Sequence, residues 1–147
     1  MRIFLIRHGE SIANVDKSVH SKMLDHQVPL TQWGYGDQAV EAGRFLRQYY
    51  DGRPELAGKK VRVWHSPFER TKQTKDGFLE GFDPERVESV REDYALVEQD
   101  FGVFSPFNRK ERDQHFPVEH NFYKKFRDDG QAKFYARPPM GESRMDV

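Results

Sequence analysis

The chain has 147 residues and no cysteine, and its 24 basic and 24 acidic side chains balance to a net charge of zero. The absence of cysteine excludes a disulfide framework, thiol catalysis and thiolate metal sites. The balanced charge gives no reason to expect nucleic acid or an acidic membrane as a partner. No run approaches the ~20 apolar residues of a membrane helix, and the apolar start is too short for a signal peptide. We therefore expect a single domain over residues 1–147, located in the cytoplasm.

The first predicted elements are a strand and a helix separated by a long polar stretch. Ile3–Ile6 is a continuous apolar run, as is typical of a strand covered on both faces. Residues 11–30 are polar and predict a loop. Thr31 then offers a helix cap, and one helical face follows at spacings of three, four and three residues: Ala39, Ala42, Leu46 and Tyr49.

A second strand and helix follow, and then a third strand. Val61–Trp64 predicts the strand. Ser66 can cap the next helix, with Pro67 at its first position, Glu69 completing a capping box and Gly81 at its end. Val87–Val90 predicts the third strand. The alternation of strands and helices predicts an α/β protein with a mostly parallel sheet between two helical layers.

The rest of the chain carries weaker signals. Phe122, Tyr123 and Phe126 predict a further helix. Ser143–Asp146 is typical of the first turn of a capped helix, yet the sequence ends one residue later. We therefore expect a chain that is cut short, and a frayed polar tail is the alternative.

Polar residues of the kinds that can bind a phosphate group follow two of the predicted strands. Arg7 and His8 come after the first strand, Ser66 comes after the second, and Arg70 lies in the next helix. In open α/β sheets, ligands bind beyond the carboxyl ends of the strands. The guanidinium fork of arginine fits phosphate oxygens in pairs, and the N-terminus of the Ser66 helix adds unpaired N–H groups. Arg7, Arg70 and this helix end therefore predict an anion site.

A histidine in such a site can act as a nucleophile. Nearby guanidiniums disfavour the protonated imidazole, which keeps His8 neutral. Neutral His8 could attack phosphorus and carry the phosphoryl group, so that one displacement becomes two. Gly9 lets the backbone approach the phosphate closely.

Several segments together resemble the histidine phosphatase (phosphoglycerate mutase-like) superfamily, near its plant and fungal mutase-like members. These segments are "RHGES", "PLTQWGYGDQA", "HSPFERTKQT", "LVEQDFG" and "RPPMGES", in the family's order along the whole chain. The resemblance implies that His8 accepts the phosphoryl group, that Arg7 and Arg70 hold its oxygens and that Asn14 lines the same pocket. It also implies that Glu98 protonates the leaving oxygen and then activates water, a task that burial of its carboxyl or the nearby carboxylate of Asp100 would favour.

The sequence departs from the family pattern at two points. Val97 stands where relatives often have a basic residue. The second histidine of the family, in a V-S-H-G-like motif downstream of the G-E-S segment, does not occur before Val147, and none of the other histidines has that context: His20, His26, His65, His115 and His120. In the family this histidine ends a strand beside the first one, so the resemblance implies that a C-terminal strand and helix are missing. We therefore expect an exposed sheet edge at Ile3–Ile6 through which copies could pair.

These observations predict a phosphomonoester phosphatase acting on a small phosphorylated substrate without a cofactor. A phosphomutase and a non-catalytic phosphate-binding remnant are the alternatives. A metal cluster of Asp113, His115, Glu119 and His120 is disfavoured because the spacing matches no standard helical pair. A P-loop at Ala57–Lys60 is disfavoured because no Ser or Thr follows the lysine.

Overall fold

The computed structural model describes residues 2–147 of the chain. Contacts among these residues form two compact units. The first unit runs to Asp16 and includes Met23–Leu96, and the second comprises Lys17–Lys22 and Val97–Val147. A single domain over the whole chain stays a prediction. No helix in the described part is long and apolar enough to cross a membrane.

The first unit contains a two-stranded parallel sheet, as predicted. Strand β1 (Val61–His65) pairs with β2 (Val87–Glu92) in parallel. Burial alternates along β1, with Val61 and Val63 turned towards the core and Trp64 50% exposed. The mixed α/β class with a parallel sheet is therefore confirmed.

The predicted first strand is wrong for the part of the chain that the structure describes. Ile3–Ile6 joins no sheet, and its side chains are exposed, with Leu5 at 94%. Phe4 packs edge-on against the ring of Tyr49, 5.5 Å between centroids. A strand needs a hydrogen-bonded neighbour to satisfy its backbone, and no second strand pairs with Ile3–Ile6 among residues 2–147.

Helices pack on one side of this sheet. The short helix α1 (Ile12–Val15) follows the "RHGES" loop. A π-helical segment, Gly34–Ala39, leads directly into α2 (Val40–Asp51), and α3 (Glu69–Gly81) connects β1 with β2. The predicted helix end at Gly81 is confirmed. The start is not: α3 begins at Glu69 because Ser66–Phe68 remain extended or turned.

The core of the first unit forms between α2, α3 and the sheet. It consists of Leu46, Tyr50, Phe78 and Phe82, with Val61, Val63 and Val87 packed against it. The buried face of α2 is rotated slightly from the predicted one: Leu46 is shared, whereas Tyr50 is buried and Tyr49 only half-buried.

The second unit is helical. Helix α4 (Arg109–His115) and helix α5 (Pro117–Arg127) pack against Phe104 and Ala136. The predicted helix around residue 123 is confirmed, and Tyr123 faces the core. The turn Ser143–Asp146 closes on itself, since Asp146 Oδ2 accepts from the Ser143 N–H at 2.6 Å and from its hydroxyl at 2.7 Å.

Candidate active site

The loop that carries Arg7 and His8 is anchored on α3. The Gly9 N–H donates to Thr74 Oγ1 at 3.0 Å, and the Thr74 hydroxyl donates to the Arg70 carbonyl at 2.7 Å. Gly9 and Thr74 are both buried. The chain of bonds places the His8 loop against the turn of α3 that carries Arg70.

Glycine is required where this loop meets the start of the π-helical segment. A Cβ on Gly9 would lie 2.3 Å from the Gly34 carbonyl oxygen, and a Cβ on Gly34 would lie 2.2 Å from the Glu10 carbonyl oxygen. Both obstacles are backbone atoms, which cannot rotate away as a side chain can. The two backbones therefore approach each other at a distance that only glycine permits.

Glu10 is held by residues of the "PLTQWGYGDQA" segment. Its N–H donates to Gln38 Oε1 at 2.6 Å, and its carbonyl accepts from the Thr31 N–H at 2.8 Å. Thr31 Oγ1 donates to the Glu10 carboxylate at 2.9 Å and accepts from the Gly34 N–H at 2.9 Å, which confirms Thr31 as a cap. Sequence reasoning did not find Gln38 or Thr74, because a polar residue on a helix gives no sign of the loop that it anchors.

The imidazole of His8 has a defined orientation. His8 Nδ1 lies 2.7 Å from the Gly9 carbonyl oxygen. A carbonyl only accepts, so Nδ1 carries the proton, and the lone pair of the neutral ring lies on Nε2. His8 is half-buried and Arg7 is exposed. His65 makes the same kind of contact, from Nδ1 to the Ser66 carbonyl oxygen at 2.9 Å.

Arg7 and His8 line a cavity of about 190 Å³ in the first unit. Its other walls come from the same loop, from the segment entering α2 and from α3: Ile6, Gly9, Gln38, Ala39, Ala42 and Thr74. A concave space lined by a histidine and an arginine is suited to a small anion.

Arg70 is buried, and its guanidinium is engaged. The residue is 4% exposed. Its Nη1 donates to the Asp25 carbonyl at 2.7 Å, and its Nη2 donates to Asp25 Oδ2 at 3.1 Å. The guanidinium carbon lies 4.8 Å from the centre of the Phe68 ring. Sequence reasoning missed Asp25, which lies in the stretch predicted as a loop.

Asn14 and Ser66 have local roles in the structure. Asn14 Oδ1 accepts from the N–H of Ser11 at 2.9 Å and from its hydroxyl at 3.1 Å, so that Asn14 closes the turn of α1. Ser66 is buried, and its Oγ accepts from the Phe68 N–H at 3.3 Å. The predicted capping box with Glu69 is wrong, because Glu69 accepts from Gln73 Nε2 instead.

Glu98 belongs to the second unit and is exposed, so the expected burial of its carboxyl is not observed. The residues beside it are fixed by the "GES" segment. Gln99 Nε2 donates to the Glu142 carbonyl at 2.6 Å, and the Asp100 N–H donates to the Glu142 carboxylate at 2.9 Å. The two motifs "LVEQDFG" and "RPPMGES" thus pack together within this unit.

The four residues considered above as a disfavoured metal cluster, Asp113, His115, Glu119 and His120, also lie in the second unit. Asp113 Oδ1 accepts from His120 Nδ1 at 2.8 Å and from Lys124 Nζ at 2.7 Å. Hydrogen bonds from Lys124 and His120 hold the pKa of Asp113 below its ordinary value. Over residues 2–147, no group of three or more histidine, aspartate or glutamate side chains has the arrangement of a metal site.

The fold and these motifs are those of one family. The sequence profile described as "Histidine phosphatase superfamily (branch 1)" matches residues 3–147, and the chain belongs to this superfamily. The chain is 37% identical to the phosphoglycerate mutase-like protein AT74H of Arabidopsis thaliana, over 99% of its own length and 49% of that protein. It is 36% identical to AT74 of the same plant, over 99% of its length and 42% of that protein. The chain therefore spans about half the length of these curated relatives.

Solved structures share the fold. The alpha-ribazole phosphatase from Shigella flexneri superposes with a TM-score of 0.61 at 24% identity, covering 96% of this chain and 58% of that one. A mycobacterial glucosyl-3-phosphoglycerate phosphatase in complex with inorganic phosphate superposes with a TM-score of 0.60 at 23% identity, covering 95% and 54%. These likenesses establish the architecture.

Proposed function

We propose that this chain is a phosphomonoester phosphatase of the cytoplasm that acts through a phosphohistidine on His8. The observation that carries the proposal is the contact between His8 Nδ1 and the Gly9 carbonyl, which leaves the lone pair on Nε2 of a histidine that lines the same cavity as Arg7. Membership of a superfamily of histidine phosphatases supports it. The substrate class is a small phosphorylated molecule.

The reaction has two steps. His8 Nε2 attacks phosphorus, the bond from phosphorus to the ester oxygen breaks, and Glu98 gives that oxygen a proton. Water then attacks the phosphohistidine while Glu98 takes its proton, which regenerates His8 and releases inorganic phosphate. Arg7 and Arg70 stabilise the charge on the transferring oxygens.

Hydrolysis of p-nitrophenyl phosphate tests this function. We expect turnover in the wild type, loss of turnover in His8→Ala and unchanged turnover in His115→Ala, a matched control at an exposed histidine of the second unit. An acid-labile phosphoryl adduct should form on the wild type and on His115→Ala but not on His8→Ala. Turnover that survives in His8→Ala would refute the role of this residue.

The product distinguishes hydrolysis from a phosphomutase reaction. A phosphatase releases one inorganic phosphate for each p-nitrophenol. In a fraction of its turnovers, a mutase transfers the phosphoryl group to an added hydroxyl compound such as a phosphoglycerate, so that less phosphate than p-nitrophenol appears. We expect equal amounts of the two products.

Phosphate binding without turnover is the second candidate, favoured by the exposure of Glu98. General acid catalysis needs a carboxyl within hydrogen-bond reach of the leaving oxygen, in a site that excludes water, whereas the Glu98 side chain is open to solvent. Binding of inorganic phosphate by calorimetry, combined with no release of p-nitrophenol, would establish this candidate instead of the phosphatase.

A further inference from the structure

Arg70 carries a charge that is almost completely removed from solvent. A buried guanidinium is costly unless its N–H groups are paired. Asp25 provides three acceptor atoms for it: the backbone carbonyl at 2.7 Å from Nη1, Oδ1 at 3.3 Å from Nη1 and Oδ2 at 3.1 Å from Nη2. One residue therefore engages the outer end of the guanidinium, formed by Nη1 and Nη2.

Asp25 itself is held in place by local structure. It is the first residue of a short 3-10 turn, Asp25–Gln27, and its carbonyl also accepts from the N–H of the fully buried Val28 at 3.2 Å. The neighbouring His26 packs edge-on against Phe68, 6.4 Å between ring centres. The turn is thus anchored to the core and to the residues before α3.

Phe68 and Asp25 together fix the guanidinium of Arg70 in two ways. The Phe68 ring lies against the guanidinium carbon, which limits movement out of the plane. The carboxylate fork of Asp25 sets the rotation within the plane, because a bidentate pair has one favourable geometry. The role that the proposed function gives to Arg70 requires a guanidinium held in one orientation, and these two contacts supply that constraint.

We propose that Asp25 is a positioning residue, which orients Arg70 to receive the phosphoryl group. The inference rests on the proposed function for the role of Arg70 and extends it to a residue outside the family motifs quoted above. Asp25 does not touch the substrate in this proposal. Asp25 fixes the orientation of the Arg70 guanidinium, although its negative charge weakens the attraction of that guanidinium for an anion.

For Asp25→Asn, the proposal and simple electrostatics predict opposite changes in phosphate affinity. Asp25→Asn removes a negative charge beside Arg70, so Coulomb attraction alone would tighten phosphate binding. Positioning predicts the opposite, because the amide NH₂ of asparagine faces a guanidinium N–H and breaks the fork. Removing a partner that orients a metal ligand typically costs about 10–100-fold in affinity, and we expect about tenfold weaker binding of inorganic phosphate here.

Calorimetry with inorganic phosphate on the full chain tests the direction of this change in affinity. Asp51→Asn is the matched control, since Asp51 pairs with Arg86 at 2.7 Å in the same unit and the charge change is identical. We expect Asp51→Asn to bind as the wild type does and Asp25→Glu, which keeps the carboxylate, to recover part of the affinity lost in Asp25→Asn. Unchanged or tighter binding by Asp25→Asn would overturn the proposal.

A measurement on the wild type keeps the test decisive even if Asp25→Asn does not fold. In a ¹⁵N NMR spectrum of arginine side chains, a positioned Arg70 shows slow rotation and separate Nη signals, unlike the exposed Arg44. Averaged Nη signals for Arg70 would overturn the proposal without reference to phosphate. A wild type that shows separate signals but binds no phosphate would refute the proposed function and leave the orienting contact established.

Discussion

Substituting alanine for Gly9 should destabilise the protein and disturb the His8 loop. The added Cβ would lie 2.3 Å from the Gly34 oxygen and 2.9 Å from the Gly34 carbonyl carbon, so one backbone must move. Movement is resisted because the Gly9 N–H is bonded to Thr74 and the Gly34 N–H to Thr31. Forcing an extra methyl into such a site costs about 1–3 kcal/mol, and losing the Thr74 bond costs about 0.5–1.5 kcal/mol more.

These terms predict that Gly9→Ala lowers the free energy of unfolding by about 2–4 kcal/mol. For a chain of this size that corresponds to a fall in Tm of roughly 5–15 °C, measured by circular dichroism. Amide hydrogen exchange adds a local readout, since the residue 9 amide should lose protection together with its bond to Thr74.

Gly36→Ala is the matched control for Gly9→Ala. Gly36 lies in the π-helical segment, its added Cβ would meet nothing within 4 Å, and its φ is not in the left-handed region. Alanine is favoured over glycine in helical backbone by up to about 1 kcal/mol, so Gly36→Ala should be neutral or slightly stabilising. A Gly9→Ala variant as stable as Gly36→Ala would refute the close approach of Gly9 and Gly34.

Two further substitutions test the core of the first unit and the ion pair of Asp113 in the second. Phe82→Ala removes a ring that is 2% exposed and stacked on Phe78, and it should lower the free energy of unfolding, measured with denaturant, by about 3–5 kcal/mol. The control Phe45→Ala, at a 68% exposed position of α2, should change it by no more than about 0.5 kcal/mol. Equal effects of the two substitutions would contradict the assigned core. Asp113 has a pKa held below its ordinary value by Lys124 and His120, so its stabilisation is complete above about pH 4 and is lost as the pH falls through the lowered value. Asp113→Asn should therefore lower Tm at neutral pH and approach the wild type in acid, and a pH-independent difference would contradict this.

Much of the first unit could be predicted from the sequence because its signals are local. The end of α3 at Gly81 and the strand β2 follow from a helix stop signal and from β-branched residues within one short stretch. Ile3–Ile6 has the same kind of local signal and still forms no strand. Pairing depends on a partner elsewhere in the chain, and composition within four residues carries no information about that partner.

The sequence predicts Arg7, His8 and Arg70 as site residues, and these roles stay predictions. The structure places Arg7 and His8 at one cavity and pairs Arg70 with Asp25. Asp25 and Gln38 could not be predicted, since their roles depend on contacts with residues 45 and 28 positions away along the chain. Hydrophobic periodicity predicts the buried face of a single element, whereas each of these contacts joins two segments that are distant in the sequence.

Thr74 shows how the helical pattern and the site are connected. It is a buried residue of α3, as are Gly77 and Phe78. In the structure its hydroxyl accepts from Gly9 and donates to the Arg70 carbonyl. A valine would fill the same volume but leave the buried Gly9 N–H unpaired. The hydroxyl at this buried position therefore holds the loop that carries His8, and the packing of α3 and the position of the His8 loop depend on the same residue.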